Sequence, residues 1–250
     1  MTTRKNILIT GASSGLGKGM AIEFAKAGRN LALCARRVER LEEVKNELLA
    51  INPNIQVEIR SLDVNNHEQV FEVFEDFRQT LGTLDRVIVN AGMGKGASIG
   101  TGFFAANKQT AETNFIAALA QCEAAMTIFR AQNAGHLVTI SSISAVRGFR
   151  RALTVYAATK AGLSCMTEGI RIDVMNTPIK VTCVHPGFIK SEINEKVEKV
   201  PFIVETDVGC RAIVGAIEKE KADAYVPSYP WAILHRLLRI MPDSFIRNMS

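Results

Sequence analysis

Tyr156 and Lys160 form the pair of residues in this sequence whose types and spacing most directly suggest chemistry. Four residues apart on a helix, they share one face with an axial offset of about 6 Å. Because a tyrosine has a pKa of about 10, acid or base work near neutrality needs about 4 kcal/mol of phenolate stabilisation. A unit charge ~4 Å away, at an effective dielectric of ~20, supplies a similar energy. The spacing therefore predicts a phenol whose pKa is lowered by a neighbouring ammonium.

A glycine-rich turn at 10–17, Thr-Gly-Ala-Ser-Ser-Gly-Leu-Gly, is the second feature with chemical meaning, and it directly follows an apolar run. Gly11 permits a tight turn, Gly15 lets the backbone approach a pyrophosphate, and Gly17 lets the next helix pack closely. The N–H groups at the start of that helix then face the anion. An ATPase phosphate loop is excluded, because Gly19 follows Lys18 where that motif needs Ser or Thr.

Apolar runs of strand length alternate with segments of helical periodicity along the chain. The runs are Asn6–Thr10, Leu31–Cys34, Gln56–Ile59, Arg86–Val89, Leu137–Ile140, Val181–Val184 and Ala224–Val226. The helical segments are Gly17–Ala27, Arg40–Leu49, His67–Leu81, Gln109–Ala131, Tyr156–Met175 and Val208–Glu218. Such alternation predicts an α/β fold with a doubly wound parallel sheet. We expect a single Rossmann domain over 1–250, with 227–250 as a C-terminal amphipathic extension.

Seven short motifs along the chain occur in one particular order. They are the glycine turn, Asp63-Val64, Asn90-Ala91-Gly92, Asn114, Ser141-Ser142, the segment from Tyr156 to Lys160, and Pro186-Gly187. Taken together they resemble the short-chain dehydrogenase/reductase family, over about residues 5 to 191. The resemblance implies hydride transfer between a nicotinamide cofactor and a carbonyl or alcohol.

The resemblance also assigns roles to residues of this chain. It implies that Asn114, Ser142, Tyr156 and Lys160 are catalytic, with Ser141 and Ser144 as alternatives to Ser142. Asn114 would bend its helix locally to seat a water in a proton relay, and Lys160 would also hold the nicotinamide ribose. The cofactor-binding positions it implies are Gly11, Ser13, Ser14, Gly15, Leu16, Gly17, Arg36, Arg37, Asp63, Val64, Asn90, Ala91, Gly92, Tyr156, Lys160, Pro186, Gly187, Ile189 and Ser191.

The end of the second predicted strand bears on the choice of coenzyme. In the family this position faces the adenosine ribose, where an acidic residue would bind the 2′-hydroxyl and repel a 2′-phosphate. Here the sequence is Cys34-Ala35-Arg36-Arg37, so the acid is missing and Arg36 or Arg37 offers donors suited to a phosphate. We therefore expect NADP(H) to be preferred over NAD(H).

Composition limits the other classes of function. The chain has 250 residues, and its 30 basic and 25 acidic residues are mixed along it, so we expect no nucleic-acid partner. The five cysteines and four histidines lack metal-ligand spacing, so we expect no metal. The apolar run after Arg4 and Lys5 is too short for a signal peptide, and no run could span a bilayer, so a cytoplasmic protein is expected.

The segment from Tyr229 to Pro242 has apolar residues at helical spacing, with His235, Arg236 and Arg239 on the opposite side. Three interpretations remain open. The segment packs on its own or a neighbouring subunit, or it forms a lid over a lipophilic substrate, or it makes peripheral membrane contact through 229–246.

Two further expectations concern partners and activity. Helices of this family pair between subunits, so we expect a homodimer or homotetramer. Apolar residues beside the motifs (Phe149, Leu153, Phe188, Ile189 and Ile193) favour an apolar ketone, steroid-like, retinoid-like or 3-oxoacyl substrate. The alternative function is an NADPH-binding regulatory or scaffold protein with little turnover.

Overall fold

The structure is a computed structural model that describes residues 4–190 and 202–249. Seven strands form one sheet in the order β3-β2-β1-β4-β5-β6-β7, and every neighbouring pair is parallel. The strands are β1 Asn6–Thr10, β2 Asn30–Ala35, β3 Val57–Ser61, β4 Arg86–Val89, β5 His136–Ile140, β6 Lys180–Pro186 and β7 Asp223–Val226. The α/β fold class and its parallel sheet are confirmed.

Helices connect the strands and cover both faces of the sheet. They are α1 Gly15–Lys26, α2 Val38–Ile51, α3 His67–Leu81, α4 Phe104–Ala111, α5 Ala117–Gln132, α6 Leu153–Asp173, α7 Thr206–Glu218, α8 Ser228–Ile240 and α9 Asp243–Met249. A π turn at Glu112–Ile116 joins α4 to α5, and a short 3₁₀ helix at Ile143–Val146 follows β5. Among the described residues, no helix combines the length and apolarity needed to cross a bilayer.

Alternation along the buried strands builds two cores. On β1, Ile7 and Ile9 face the layer of α1, α2 and α7, whereas Leu8 faces the layer of α3, α5 and α6. Phe24 of α1 and Phe74 of α3 are each fully buried on their respective sides. Each such side chain contributes about 1.5–3 kcal/mol through burial. Helices therefore pack on both faces of the sheet. This packing positions the ends of the strands, and with them the loops that follow the carboxyl ends.

The strand order reverses between β1 and β4, because β1 leads outward to β2 on one side and β4 leads outward to β5 on the other. In open α/β sheets, ligands bind outside the carboxyl ends of the strands at such a point. The loops that follow β1, β4, β5 and β6 contain the glycine turn and most of the motifs described above. The fold therefore collects those motifs at one edge of the sheet.

The C-terminal extension packs against its own chain. Trp231 and Leu238 of α8, together with Ile246 of α9, are buried in a small cluster with Ile143. This contact matches the first of the three interpretations of the segment. However, the exposed side of α8 is not polar throughout as expected, because Tyr229, Ile233, Leu237 and Ile240 lie there as well.

Candidate active site

The glycine turn has the backbone conformation that its sequence requires. Gly11 and Gly15 have φ of +64° and +53°, values that other residues adopt only with strain. A Cβ on Gly17 would lie 2.3 Å from the Gly11 carbonyl oxygen, so only glycine fits where α1 meets the turn. The turn is therefore built to bring backbone close to whatever binds above it.

Asn90 and Ala91 brace this turn from the end of β4. The Asn90 side chain donates to the Thr10 carbonyl at 2.8 Å, and both backbone N–H groups donate to the Thr10 hydroxyl at 3.0 Å. Thr10 is fully buried, so these hydrogen bonds form away from water. The Asn-Ala-Gly motif thus fixes the turn in place from the neighbouring strand.

Arginine and hydroxyl groups meet at the mouth of the turn. Arg37 donates to the hydroxyls of Ser14 at 2.8 Å and Ser13 at 3.2 Å. Ser14 precedes α1 but does not cap it with its side chain, and no acidic residue lies in the first turn of the helix. Exposed Arg36 makes no hydrogen bond or ion pair within the described part of the chain. The helix N-terminus and the two guanidinium groups together suit a phosphorylated ligand.

Asp63 and Val64 follow β3, which lies beyond β2 on the same side of β1. The Asp63 carboxylate accepts hydrogen bonds from the backbone and side chain of Asn65 at 3.0 Å each, and Val64 is buried. The carboxylate therefore stabilises its own loop, and the apolar side chain of Val64 joins the core beneath it.

The structure distinguishes among the three serines after β5. The Ser142 hydroxyl is a hydrogen-bond partner of the Tyr156 phenol and acts to lower its pKa. The Ser141 hydroxyl instead donates to the Lys160 carbonyl at 3.0 Å. Ser144 contributes its backbone N–H to the Ser142 hydroxyl oxygen at 3.1 Å. Of the three, Ser142 is the serine in contact with Tyr156.

Lys160 lies beside Tyr156, with its Nζ 5.9 Å from the centre of the tyrosine ring. Its ammonium donates to the Ile140 carbonyl at 2.8 Å, and burial lowers the Lys160 pKa to about 8. Burial also raises the pKa of Tyr156, and the Ser142 hydrogen bond offsets only part of that effect. The expectation that the neighbouring Lys160 lowers the Tyr156 pKa is therefore wrong for the protein without cofactor, because burial has the largest effect on this phenol and raises its pKa.

Asn114 lies in the π turn at Glu112–Ile116 and so in a local widening of the helix. Its side chain accepts from the Met93 N–H and donates to the Met93 carbonyl, both at 2.8 Å. A Cβ added to Gly92 would lie 3.2 Å from the Asn114 amide oxygen and 3.5 Å from Lys160 Nζ. Gly92 thus leaves room between these two polar groups.

The loop after β6 brings the C-terminal extension to the same edge of the sheet. A Cβ on Gly187 would lie 2.0 Å from Nε1 of Trp231, so α8 rests directly on this glycine. The Ile189 side chain is buried against Gly209 of α7, which leaves only its backbone to face a cofactor. Ser191 and Ile193 lie outside the described residues.

Apolar side chains surround this edge. Phe149 and Phe188 pack with Trp231 and Leu238, and the Phe188 and Trp231 rings meet edge to face at 5.5 Å. A separate apolar cavity of about 440 Å³, between the loop after β4 and α4, reaches Val155 next to Tyr156. Sequence reasoning noted the apolar segment at 229–242 but not its contact with Gly187, because this contact joins residues far apart in the chain.

The fold and these polar groups define a class: a Rossmann-like α/β protein with polar and titratable side chains grouped at the switch point of its sheet. The sequence profile described as short chain dehydrogenase matches residues 5–201. The chain therefore belongs to the short-chain dehydrogenase family, whose members are oxidoreductases that use nicotinamide cofactors and small-molecule substrates and are commonly oligomeric.

Individual relatives agree with this assignment. An uncharacterized oxidoreductase of Mycobacterium tuberculosis is 48% identical over 248 residues, which cover 99% of this chain and 98% of the relative. Another from Myxococcus xanthus is 31% identical, over 96% of this chain and 93% of its own.

Solved structures share the fold. Levodione reductase superposes with a TM-score of 0.83 at 22% identity, over 93% of this chain and 100% of that one. An alcohol dehydrogenase from the archaeon Thermococcus sibiricus, complexed with 5-hydroxy-NADP, has a TM-score of 0.79 at 23% identity, over 89% and 94% of the two chains.

Proposed function

We propose that this protein is an NADP(H)-dependent oxidoreductase that exchanges hydride between nicotinamide and an apolar carbonyl or alcohol. The observation that carries the proposal is the contact of Tyr156 with Ser142 on one side and Lys160 on the other. Asn114 and Gly92 adjoin the same lysine. These groups can hold a carbonyl oxygen and move a proton to it, which is the half of the reaction that the protein must supply.

Each residue then has a defined task. Ser142 and Tyr156 donate hydrogen bonds to the substrate oxygen, and Tyr156 delivers its proton during reduction. Lys160 would hold the ribose hydroxyls of the bound cofactor, and Asn114 would seat a water able to return a proton to the tyrosine. The bound nicotinamide supplies the hydride. The backbone around Gly187 would hold the carboxamide of the cofactor, and apolar neighbours such as Phe188 and Trp231 would exclude water.

Coenzyme preference is tested with Arg36→Asp. We expect NADPH to bind about 10- to 100-fold more weakly and NADH to change much less, because a lost charge-assisted hydrogen bond costs about 1.5–3 kcal/mol. Calorimetric titration of both coenzymes measures the difference. Arg40→Asp is the matched control, since exposed Arg40 lies farther along α2 and pairs with Glu43. Equal weakening of both coenzymes by Arg36→Asp would refute the preference.

The substrate class is tested by following NADPH absorbance with a panel of aliphatic, aromatic and steroid-like ketones, quinones and 3-oxoacyl thioesters. The cluster containing Phe149, Phe188 and Trp231 supports turnover of the apolar members. Tight NADPH binding without turnover of any member would contradict the enzymatic proposal and favour a regulatory role for coenzyme binding.

We also propose that the exposed face of α8 lies on an anionic membrane surface. Ile233 and Ile240 are 58% and 78% exposed, and they adjoin exposed Tyr229 and Leu237. Exposed Arg236 and Arg239 lie along one side of this apolar strip and provide the charge that attracts anionic headgroups. The opposite face of the same helix covers Gly187, so such a contact would bring an apolar substrate dissolved in lipid close to the site.

Vesicle sedimentation tests this contact. We expect binding to phosphatidylglycerol vesicles, weaker binding to phosphatidylcholine vesicles, and at least a tenfold loss of binding in the double variant Ile233→Ser/Ile240→Ser, because apolar burial drives interfacial binding. Ile172→Ser, an exposed apolar position on α6, is the control. A lower native mass with unchanged sedimentation would instead make α8 a subunit contact. The wild-type mass also tests the predicted homodimer or homotetramer.

A further inference from the structure

Three side chains able to bind a metal meet at the edge of the sheet, outside the site described above. Cys183 and Asp223 are paired across β6 and β7, and His185 lies two residues along β6 on the same side as Cys183. Their ligand atoms all lie within 4.8 Å of one another. The geometry points to a binding site for a divalent zinc-like cation, held by the Cys183 thiolate, the His185 imidazole and the Asp223 carboxylate.

The separations suit a metal better than a simple ion pair. His185 Nε2 and Asp223 Oδ1 are 3.3 Å apart, whereas a charge-assisted hydrogen bond is usually about 2.7–2.9 Å. Zinc bonds of about 2.0–2.2 Å at the tetrahedral angle separate two such ligands by about 3.3 Å. The Cys183 sulfur lies within 4.8 Å of the other two ligand atoms, and water can occupy a fourth position.

The surroundings hold two of the ligands in position. Arg171 donates to Asp223 Oδ2 at 3.0 Å and to the Ala222 carbonyl at 2.9 Å, which leaves Oδ1 facing His185. The His185 ring stacks on Tyr225 with 4.6 Å between ring centres. Such partners orient metal ligands and strengthen binding. The positive charge of Arg171 opposes a second cation, but the thiolate and carboxylate together balance a divalent ion.

Burial and access also fit a bound ion. Cys183 and His185 are 1% and 4% exposed, whereas the Asp223 side chain is 46% exposed, so an ion has a route in from solvent. The nitrogen that faces Asp223 is Nε2, so it is the atom of His185 that would bind the ion.

The types of ligand atom in the cluster indicate which cation it would bind. Sulfur, nitrogen and oxygen ligands together favour zinc over magnesium or calcium, which bind oxygen. A bound ion would link the edge strand β7, through Asp223, to β6 just before Pro186 and Gly187. Its role would be structural: to fix the loop that we assign to the nicotinamide.

Metal content and cobalt spectroscopy test the inference on the full-length protein. We expect about one zinc ion per chain in wild type and in Cys34→Val, which changes a buried cysteine on β2, four strands away from β6 in the sheet. Cys183→Val should abolish binding, and Asp223→Asn should weaken it at least tenfold. Cobalt added to the metal-free protein should show a thiolate-to-metal absorption band, which Cys183→Val removes.

Thermal unfolding provides a second readout. Zinc should raise the Tm of wild type and of Cys34→Val but not of Cys183→Val, because a ligand bound only by the folded state stabilises that state. If Cys183→Val does not fold, Asp223→Asn replaces it in this measurement, because Asp223 is half-exposed and its substitution should not prevent folding. Wild type without a cobalt-thiolate band, or zinc affinity that is equal in wild type and Asp223→Asn, would overturn the inference.

Discussion

Tyr156→Phe is expected to lower kcat for carbonyl reduction about a hundred- to ten-thousandfold, the usual contribution of a positioned general acid. The substitution removes the proton donor but keeps the ring, which borders Lys160. NADPH affinity should therefore change little. Single-turnover oxidation of bound NADPH, with the best substrate from the panel, measures the chemical step directly.

Two control variants make this result specific. Tyr229→Phe removes the hydroxyl of an exposed tyrosine on α8 and should leave kcat unchanged. Ser142→Ala should lower kcat less than Tyr156→Phe does, because it removes a hydrogen bond and not the proton itself. Wild-type turnover by Tyr156→Phe would show that another group donates the proton.

Much of the fold was predictable because its signals are local. Buried runs such as Asn6–Thr10 and Arg86–Val89 became strands with the predicted bounds. The glycine turn also followed from sequence, since positive φ at Gly11 and Gly15 is a property of the residues themselves. Helix ends were less accurate: the predicted segment Gln109–Ala131 is α4, a π turn and α5, which together begin at Phe104.

The limits of prediction lie where residues distant in sequence meet. No spacing rule links Cys183 with Asp223, because their proximity depends on β6 and β7 being neighbours in the sheet. The contact of Trp231 with Gly187 is of the same kind. The pKa of Tyr156 was misjudged for a related reason: charge separation can be estimated from helical spacing, but desolvation depends on what the rest of the fold places around the phenol.

Lys160→Met is expected to lower reduction at least a hundredfold while making the protein more stable at neutral pH. Lys160 is 5% exposed, and burial lowers its pKa from 10.5 to about 8. Keeping that amine charged at pH 7 therefore costs the folded state about 3 kcal/mol. Methionine preserves the length of the side chain but leaves the Ile140 carbonyl without its donor, which costs about 1 kcal/mol. The net gain in the free energy of unfolding is about 2 kcal/mol.

The pH dependence of this gain identifies its cause. Between pH 8 and 10.5 the unfolded lysine still binds a proton that the folded one has lost, so the wild-type stability rises with pH and the advantage of Lys160→Met shrinks. Urea unfolding of both proteins at pH 7 and pH 10 measures this convergence. Lys26→Met, at an exposed pair with Glu23, should change stability by less than about 1 kcal/mol at either pH. If Lys160→Met is less stable than wild type at pH 7, Lys160 is a structural residue of the fold. If the variant is more stable but inactive, the buried charge of Lys160 destabilises the folded protein and is needed for the reaction.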